Sequence, residues 1–309
     1  MEPLRAEQIV GNWASVLLPI QPDESIDFAR LADEVERLVA FRVNGIYTNG
    51  SAGEFYAQSE EEFDRISSMV ADRCQGAGMP FQIGAAHPCA QTALSRIRRA
   101  RLLRPGAIQV ILSDWMPLSD EEVIACLQRF AEAADPVGLV LYNPPHAKRV
   151  LPPPLYGVLR RAVPSLVGLK VLGGDEAWYA AMREHAAGLS LFTAGHYLAS
   201  GLRLGSSGAY SNIACLHPGG AQRWYQQMRT DPAGALDLEK RIERFLIEQL
   251  QPVRERYGLS GPATDKLWAA IGAWADVGTR VRWPYRSVPQ AEADRLRPIA
   301  CALLPELLG

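Results

Sequence analysis

Short apolar runs of four to six residues alternate with longer segments of helical period along most of this chain, and that alternation restricts its fold more than any other feature. A strand buried on both faces reads as a near-continuous apolar run, and joining it to a parallel neighbour takes a helical crossover. The candidate strands are 13–18, 45–49, 80–85, 107–112, 138–142, 166–170, 189–194 and 208–211. Eight such units predict an α/β fold of the (β/α)8 TIM-barrel type. An open doubly wound sheet fits the same alternation, but the strand count and the lack of a dinucleotide-type glycine fingerprint favour the closed barrel.

The intervening helices show in their apolar spacing. Phe28, Leu31, Val35, Leu38 and Val39 form one stripe, and Val123, Leu127, Phe130 and Ala134 another. Ser59 with Glu62, and Ser119 with Glu122, have capping-box spacing, in which hydroxyl and carboxylate satisfy orphaned backbone amides at a helix start. Residues from about 219 to 309 are helical in pattern without a convincing strand. The expected division is therefore a barrel catalytic domain, 1–230, and a C-terminal helical extension, 231–309, packed on the barrel, with a helix break at Gly258-Leu-Ser-Gly-Pro262.

Composition narrows the function. The 309 residues are 48% hydrophobic, enough for a large core, and 32 basic against 34 acidic residues leave no field to attract nucleic acid or an anionic membrane. The expected partner is a small molecule. Five widely spaced cysteines, without a CxxC pair, read as buried thiols of a reducing cytosol rather than a disulfide framework or zinc knuckle. The N-terminus shows no signal-peptide pattern, and the expected location is cytoplasmic.

In such barrels chemistry sits at the C-terminal ends of strands and in the loops that follow. Lys170 ends the run Leu166-Val-Gly-Leu-Lys170, and Tyr142 ends Gly138-Leu-Val-Leu-Tyr142, so neighbouring strands bring an amine and a phenol to one mouth. Burial lowers a lysine pKa and frees the neutral amine, the nucleophile that condenses with a ketone. The alternative is a lysine that reaches the rim or pairs with a carboxylate such as Asp175. Tyr142 could move protons at the reacting oxygen or simply pack. The turn Gly50-Ser-Ala-Gly-Glu54 offers amides for a carboxylate and the Ser51 hydroxyl for a relay, or is only a turn. Three histidines, His87, His146 and His196, follow strand ends, as do Asp114 and Trp115. The histidines lack a shared metal-ligand spacing and read as loop residues or substrate contacts.

Several motifs, in order, carry a family resemblance that runs from strand one to the C-terminal helices. Gly50-Ser-Ala-Gly-Glu54 stands where the family has GTTGE, Leu141-Tyr-Asn-Pro-Pro145 matches its YNxP element, and Gly168-Leu-Lys170 its GxK. Gly205-Ser-Ser-Gly-Ala-Tyr-Ser211 resembles the later glycine-rich strand, and Val281-Arg-Trp-Pro284 the C-terminal RxP. On these residues the chain resembles the dihydrodipicolinate synthase and N-acetylneuraminate lyase superfamily of Schiff-base class I aldolases, as a divergent member. The resemblance implies Lys170 as imine lysine, Tyr142 and Ser51 as proton carriers, and pyruvate or a 2-oxo acid as substrate. Its carboxylate would be held by amides around Ser51 and Ala52, with Gly50 and Tyr210 contributing to the pocket. Neither metal nor organic cofactor is implied, and the expected assembly is a homo-oligomer, a dimer or a tetramer built from dimers.

The departures separate members of that superfamily. His146-Ala-Lys-Arg149 places alanine where dihydrodipicolinate synthases carry a carboxylate-binding arginine, and Lys148 is only a partial substitute. Trp115 stands for the second tyrosine of their relay, and Ala52 for a threonine. These features direct the reading to an aldolase or dehydratase acting on a 2-oxo acid such as a 2-keto-3-deoxy sugar acid, with His87, Asp114, His146 and His196 as polar contacts. The alternatives are 4-hydroxy-tetrahydrodipicolinate synthase activity, a barrel that binds a 2-oxo acid without turnover, and a metal-dependent lyase.

Overall fold

The structure, a computed structural model, describes residues 1–113 and 115–309, so the expectation for Asp114 lies outside the described residues. Eight parallel strands close into a barrel in chain order. They are β1 (Gly11–Ser15), β2 (Gly45–Thr48), β3 (Phe81–Gly84), β4 (Ala107–Val110), β5 (Gly138–Tyr142), β6 (Leu166–Lys170), β7 (Ser190–Phe192) and β8 (Gly208–Tyr210). Pairing of β8 with β1, Asn12 opposite Ala209, completes the ring.

The helices that cover it begin with α1 (Phe28–Ala40), α2 (Glu60–Gly76), α3 (Ala90–Leu102) and α4 (Asp120–Ala134). They continue with α5 (Pro153–Ala162), α6 (Glu176–His185) and α7 (Leu198–Leu204). Both predicted capping boxes form: the Ser59 and Ser119 hydroxyls accept from the Glu62 and Glu122 amides, while those carboxylates accept from the serine amides. The predicted stripe of α4, from Val123 to Ala134, is wholly buried.

After β8 the chain is helical: α8 (Asn212–Leu216), α9 (Pro218–Thr230), α10 (Pro232–Phe245), a π-helical turn at Leu246–Leu250, α11 (Gln251–Tyr257), α12 (Gly261–Gly272), α13 (Gln290–Leu303) and α14 (Pro305–Leu308). Helix α8 leaves the C-terminal end of β8, and α12 packs directly on it. A Cβ on Gly272 would sit 1.6 Å from the Leu216 carbonyl oxygen, so only glycine allows this approach. The extension is thereby drawn over the mouth of the barrel.

Strand ends differ from expectation at β1, which starts at Gly11 and leaves the ladder after Ser15. Residues 16–18 are as apolar and buried as a strand, yet the Leu17 amide donates 2.7 Å to the buried Glu34 carboxylate instead of to a neighbouring strand. The other runs also outlast their ladders by a residue or two, except β5 and β6, which end at Tyr142 and Lys170 as predicted. The cysteines need a correction: all are free thiols, but only Cys74 and Cys215 are buried, while Cys89 and Cys301 are exposed. Among the described residues, no helix is long and apolar enough to cross a membrane.

Candidate active site

Side chains of registered residues on parallel neighbours point to the same face, and Tyr142 is in register with Lys170. Both turn into the barrel. The Lys170 ammonium stands 4.2 Å from the Tyr142 ring centroid and 5.1 Å from those of Tyr47 and Tyr210. Tyr210 continues into an aromatic cluster in which Trp13 meets Phe192 and Tyr210 edge to face. The Tyr210 phenol donates 2.5 Å to Gln82, and the Tyr47 phenol donates to Gln109.

Taking the amine out of water lowers the Lys170 pKa to about 8, against the opposing pull of Asp265 and Cys215. The neutral amine is therefore far more populated near neutrality than for an ordinary exposed lysine. Burial raises the Tyr142 phenol, and a hydrogen bond with Ser51 partly offsets that rise. The Asp175 alternative is excluded by geometry: its carboxylate caps α6, accepting 2.8 Å from the Trp178 amide.

A cavity of about 700 Å³ opens above the amine. Ser51, Ala52, Tyr142, His146, Lys170 and Tyr210 all line it. Gly50 lies behind that wall, where a Cβ would fall 2.2 Å from the Tyr47 hydroxyl. The turn is fixed by Glu54, held at φ +51° in the left-handed region. One Glu54 oxygen lies 2.6 Å from the Lys266 ammonium, and the other accepts 2.9 Å from the Arg282 amide. The Arg282 guanidinium in turn donates to Glu62 and to the Ala57 carbonyl. The first and last motifs of the sequence thus meet in one clamp, which sets the turn bearing Ser51.

Three expected contacts fall elsewhere. The His87 ring accepts 3.0 Å from the Cys89 amide and organises its own loop; burial lowers its pKa. Trp115 is 83% exposed, with the Lys148 ammonium 5.9 Å from its ring centroid, and neither lines the cavity. His196 pairs with Asn212 and opens on an adjoining cavity of about 560 Å³. Asn212 lines both spaces.

The loop after β5 is closed by Asn143, which donates to the Arg149 carbonyl and accepts from the Leu151 amide and the Tyr156 phenol. Ala147 faces the cavity in that loop. Arg149 is committed to Asp120 and the Leu118 carbonyl. Arg149 also lines the cavity, with its guanidinium shared with those two partners.

Sequence reasoning did not single out Tyr47, Cys215, Arg254 or Asp265. Tyr47 lies in the β2 run and faces inward, a position recoverable from strand alternation. Cys215, Arg254 and Asp265 come from the helical extension, where no strand-end rule points to the mouth. Burial pushes the Cys215 thiol well above its ordinary range. Among the described residues, no group of three metal-ligating side chains converges.

The model of the dihydrodipicolinate synthetase family matches residues 8–294. The N-acetylneuraminate lyase of Escherichia coli (strain K12 / DH10B) is 28% identical over 142 residues, 45% of this chain and 47% of that protein. The chain thus spans about half the length of the curated relatives it matches. A catalytic-lysine mutant of the Ruminococcus gnavus sialic acid aldolase superposes with a TM-score of 0.84 at 19% identity, covering 100% of each chain. A prophage protein of the dihydrodipicolinic acid synthase family from E. coli K12, solved with pyruvate, gives 0.83 at 21%, over 96% of this chain and 98% of that one.

Proposed function

Because the chain belongs to the dihydrodipicolinate synthetase family, we propose that it is a Schiff-base-forming lyase that cleaves or dehydrates a 2-oxo acid, with pyruvate as the three-carbon product or partner. The observation that carries this reading is the registered pair Lys170 and Tyr142 lining one cavity together with Ser51. Two similar proteins are named for a lyase and an aldolase of sialic acid, and a third was solved with pyruvate.

The amides around Ser51 and Ala52 hold the substrate carboxylate, which brings C2 over the Lys170 amine. The neutral amine attacks C2, and Tyr142, relayed by Ser51, supplies and recovers the protons of the carbinolamine. Loss of water leaves a protonated imine. In the aldolase route Tyr142 takes the C4 hydroxyl proton while the C3–C4 electron pair moves toward the imine. An aldehyde departs, the enamine gains a proton at C3, and water releases pyruvate. In the dehydratase route C3 loses a proton and the neighbouring hydroxyl is expelled. The imine is itself the electron sink, so the chemistry calls for no metal or organic cofactor, and turnover should survive a chelator.

On the β5 loop Ala147 lines the cavity, and the Arg149 guanidinium that also lines it is shared with Asp120 and the Leu118 carbonyl. A polyhydroxylated chain suits the cavity better than a carboxylate-bearing aldehyde, which makes a 2-keto-3-deoxy sugar acid the preferred substrate class. The protein is proposed to act in the cytoplasm as a homo-oligomer. Exposed Trp115 and Met116 on the β4–α4 loop, 83% and 69% accessible, provide apolar contact area for a second copy. The test is incubation with 2-keto-3-deoxy aldonates, reading pyruvate release and loss of the 2-oxo acid. Release of pyruvate marks an aldolase, and consumption without pyruvate marks a dehydratase. Binding without consumption would overturn the lyase assignment in favour of a sensor.

A further inference from the structure

Among the described residues, two guanidinium groups line the cavity that holds Lys170, those of Arg149 and Arg254. Arg149 is shared with Asp120 and the Leu118 carbonyl. The Arg254 side chain makes no hydrogen bond or ion pair with any described residue, so the planar fork of N–H donors it carries has no protein partner there. Arg254 also lines the adjoining cavity of about 560 Å³, and the two spaces meet at a wall that Asn212, Gly261 and Asp265 complete. Because Lys170 and Arg254 line the same cavity, one bound molecule can touch both.

Two irregularities of the backbone put Arg254 at this wall. The π turn at Leu246–Leu250 adds a residue, which rotates the helix that follows by about 100° relative to a regular continuation. Gly258, at φ +61°, then ends α11, and the Leu259 amide donates 2.9 Å to the Arg254 carbonyl. Leu246, Leu250 and Gln251 of the same stretch line the adjoining cavity. The acids of that space do not claim the guanidinium: Glu255 accepts 2.8 Å from Gln251, and Asp265 forms no ion pair with any described residue. A carboxylate on the same wall sharpens selection, since an anion that merely passes is repelled by Asp265 while one that engages the fork directly is held.

We propose that Arg254 determines specificity at the far end of the substrate, and that the 2-oxo sugar acid carries an oxyanion there, a phosphate monoester or a second carboxylate. This inference rests on the lyase reading above and narrows its substrate class. The amides around Ser51 and Ala52 take the carboxylate next to the reacting carbonyl, which leaves Arg254 for the opposite end of the chain. A guanidinium matches either oxyanion with two parallel hydrogen bonds, which an ammonium cannot do. The acidic group then sits at the end of a hydroxylated chain, on the helical wall rather than on the β5 loop.

The test is calorimetric binding of three probes to the full-length Lys170→Ala protein, in which no imine chemistry consumes them: a 2-keto-3-deoxyhexonate, its 6-phosphate and the corresponding hexarate. At least one of the two probes with an acidic far end should bind about 10–100-fold more tightly than the hexonate. Adding Arg254→Met should erase that preference, and adding Arg254→Lys should restore part of it. Arg254 is exposed, so both variants should keep the urea midpoint of the parent. Equal affinity for all three probes, a preference that survives Arg254→Met, or a loss of the same size for every probe would overturn the proposal. The outcome is separable from the lyase reading. A preference for the charged probes without pyruvate release by the wild type sustains the role of Arg254 and removes the lyase assignment, whereas turnover of the hexonate without any preference does the reverse.

Discussion

The Glu54 carboxylate, on the turn after β2, lies 2.6 Å from the Lys266 ammonium of α12, and both side chains are fully enclosed. This pair joins the barrel to its extension immediately beside the cavity. Removing one partner strands a charge, so Glu54→Ala or Lys266→Ala should each cost about 3–5 kcal/mol, measured by urea denaturation. The double variant Glu54→Gln with Lys266→Met should lose much less than the sum of the singles. Additive losses would mean that the two groups are independent.

Tyr142→Phe removes the phenol while keeping the ring 4.2 Å from Lys170. Stability should be unchanged or nearly so, and the catalysed rate should fall about 10²–10⁴-fold, the usual cost of losing a positioned proton carrier. Activity within threefold of the parent would assign Tyr142 to packing.

Gly50→Ala would drive a Cβ to 2.2 Å from the Tyr47 hydroxyl, and Tyr47 is fully buried. The turn must shift, at a cost of about 1–3 kcal/mol. Since that turn carries Ser51, substrate affinity should weaken together with the denaturation midpoint. A stable variant with unchanged KM would show that the turn does not hold substrate.

Burial lifts the Glu34 carboxyl to about 8, despite the Leu17 amide and the Lys266 charge, and its second oxygen has no partner. The folded chain thus keeps a proton that the unfolded chain sheds near 4.5. Across that window the folded state binds more protons, so this group's contribution is full below the lower value and is lost as pH rises through about 8. Glu34→Gln should flatten the decline of melting temperature between pH 5 and 9. An unaltered slope would place the pH dependence elsewhere.

The barrel and its central pair were legible in the sequence for one reason. A strand buried on both faces must be apolar to its end, so a lysine or tyrosine closing such a run is placed at the mouth by the fold itself. Ser51 was accessible in the same way, through the short turn after β2. The histidines mark where that reasoning stops: His87 and His196 follow strand ends in sequence, but their loops turn them to local partners, Cys89 and Asn212. Asp265 was invisible because its neighbours on α12 read as an ordinary buried helix, and only tertiary packing on α8 brings that helix over the amine. Arg254 belongs to the same helical wall and was hidden for the same reason. The limits of β1 were misjudged because residues 16–18 are apolar for the core while the Leu17 amide turns to Glu34 instead of a neighbouring strand.

The central claim is that Lys170 forms an imine with a 2-oxo acid, and borohydride reduction in the presence of pyruvate tests it most directly. Intact mass followed by peptide mapping should show one reduced pyruvate adduct on Lys170, absent from folded Lys170→Ala. An unmodified wild-type chain, or an adduct retained in Lys170→Ala, would contradict the account.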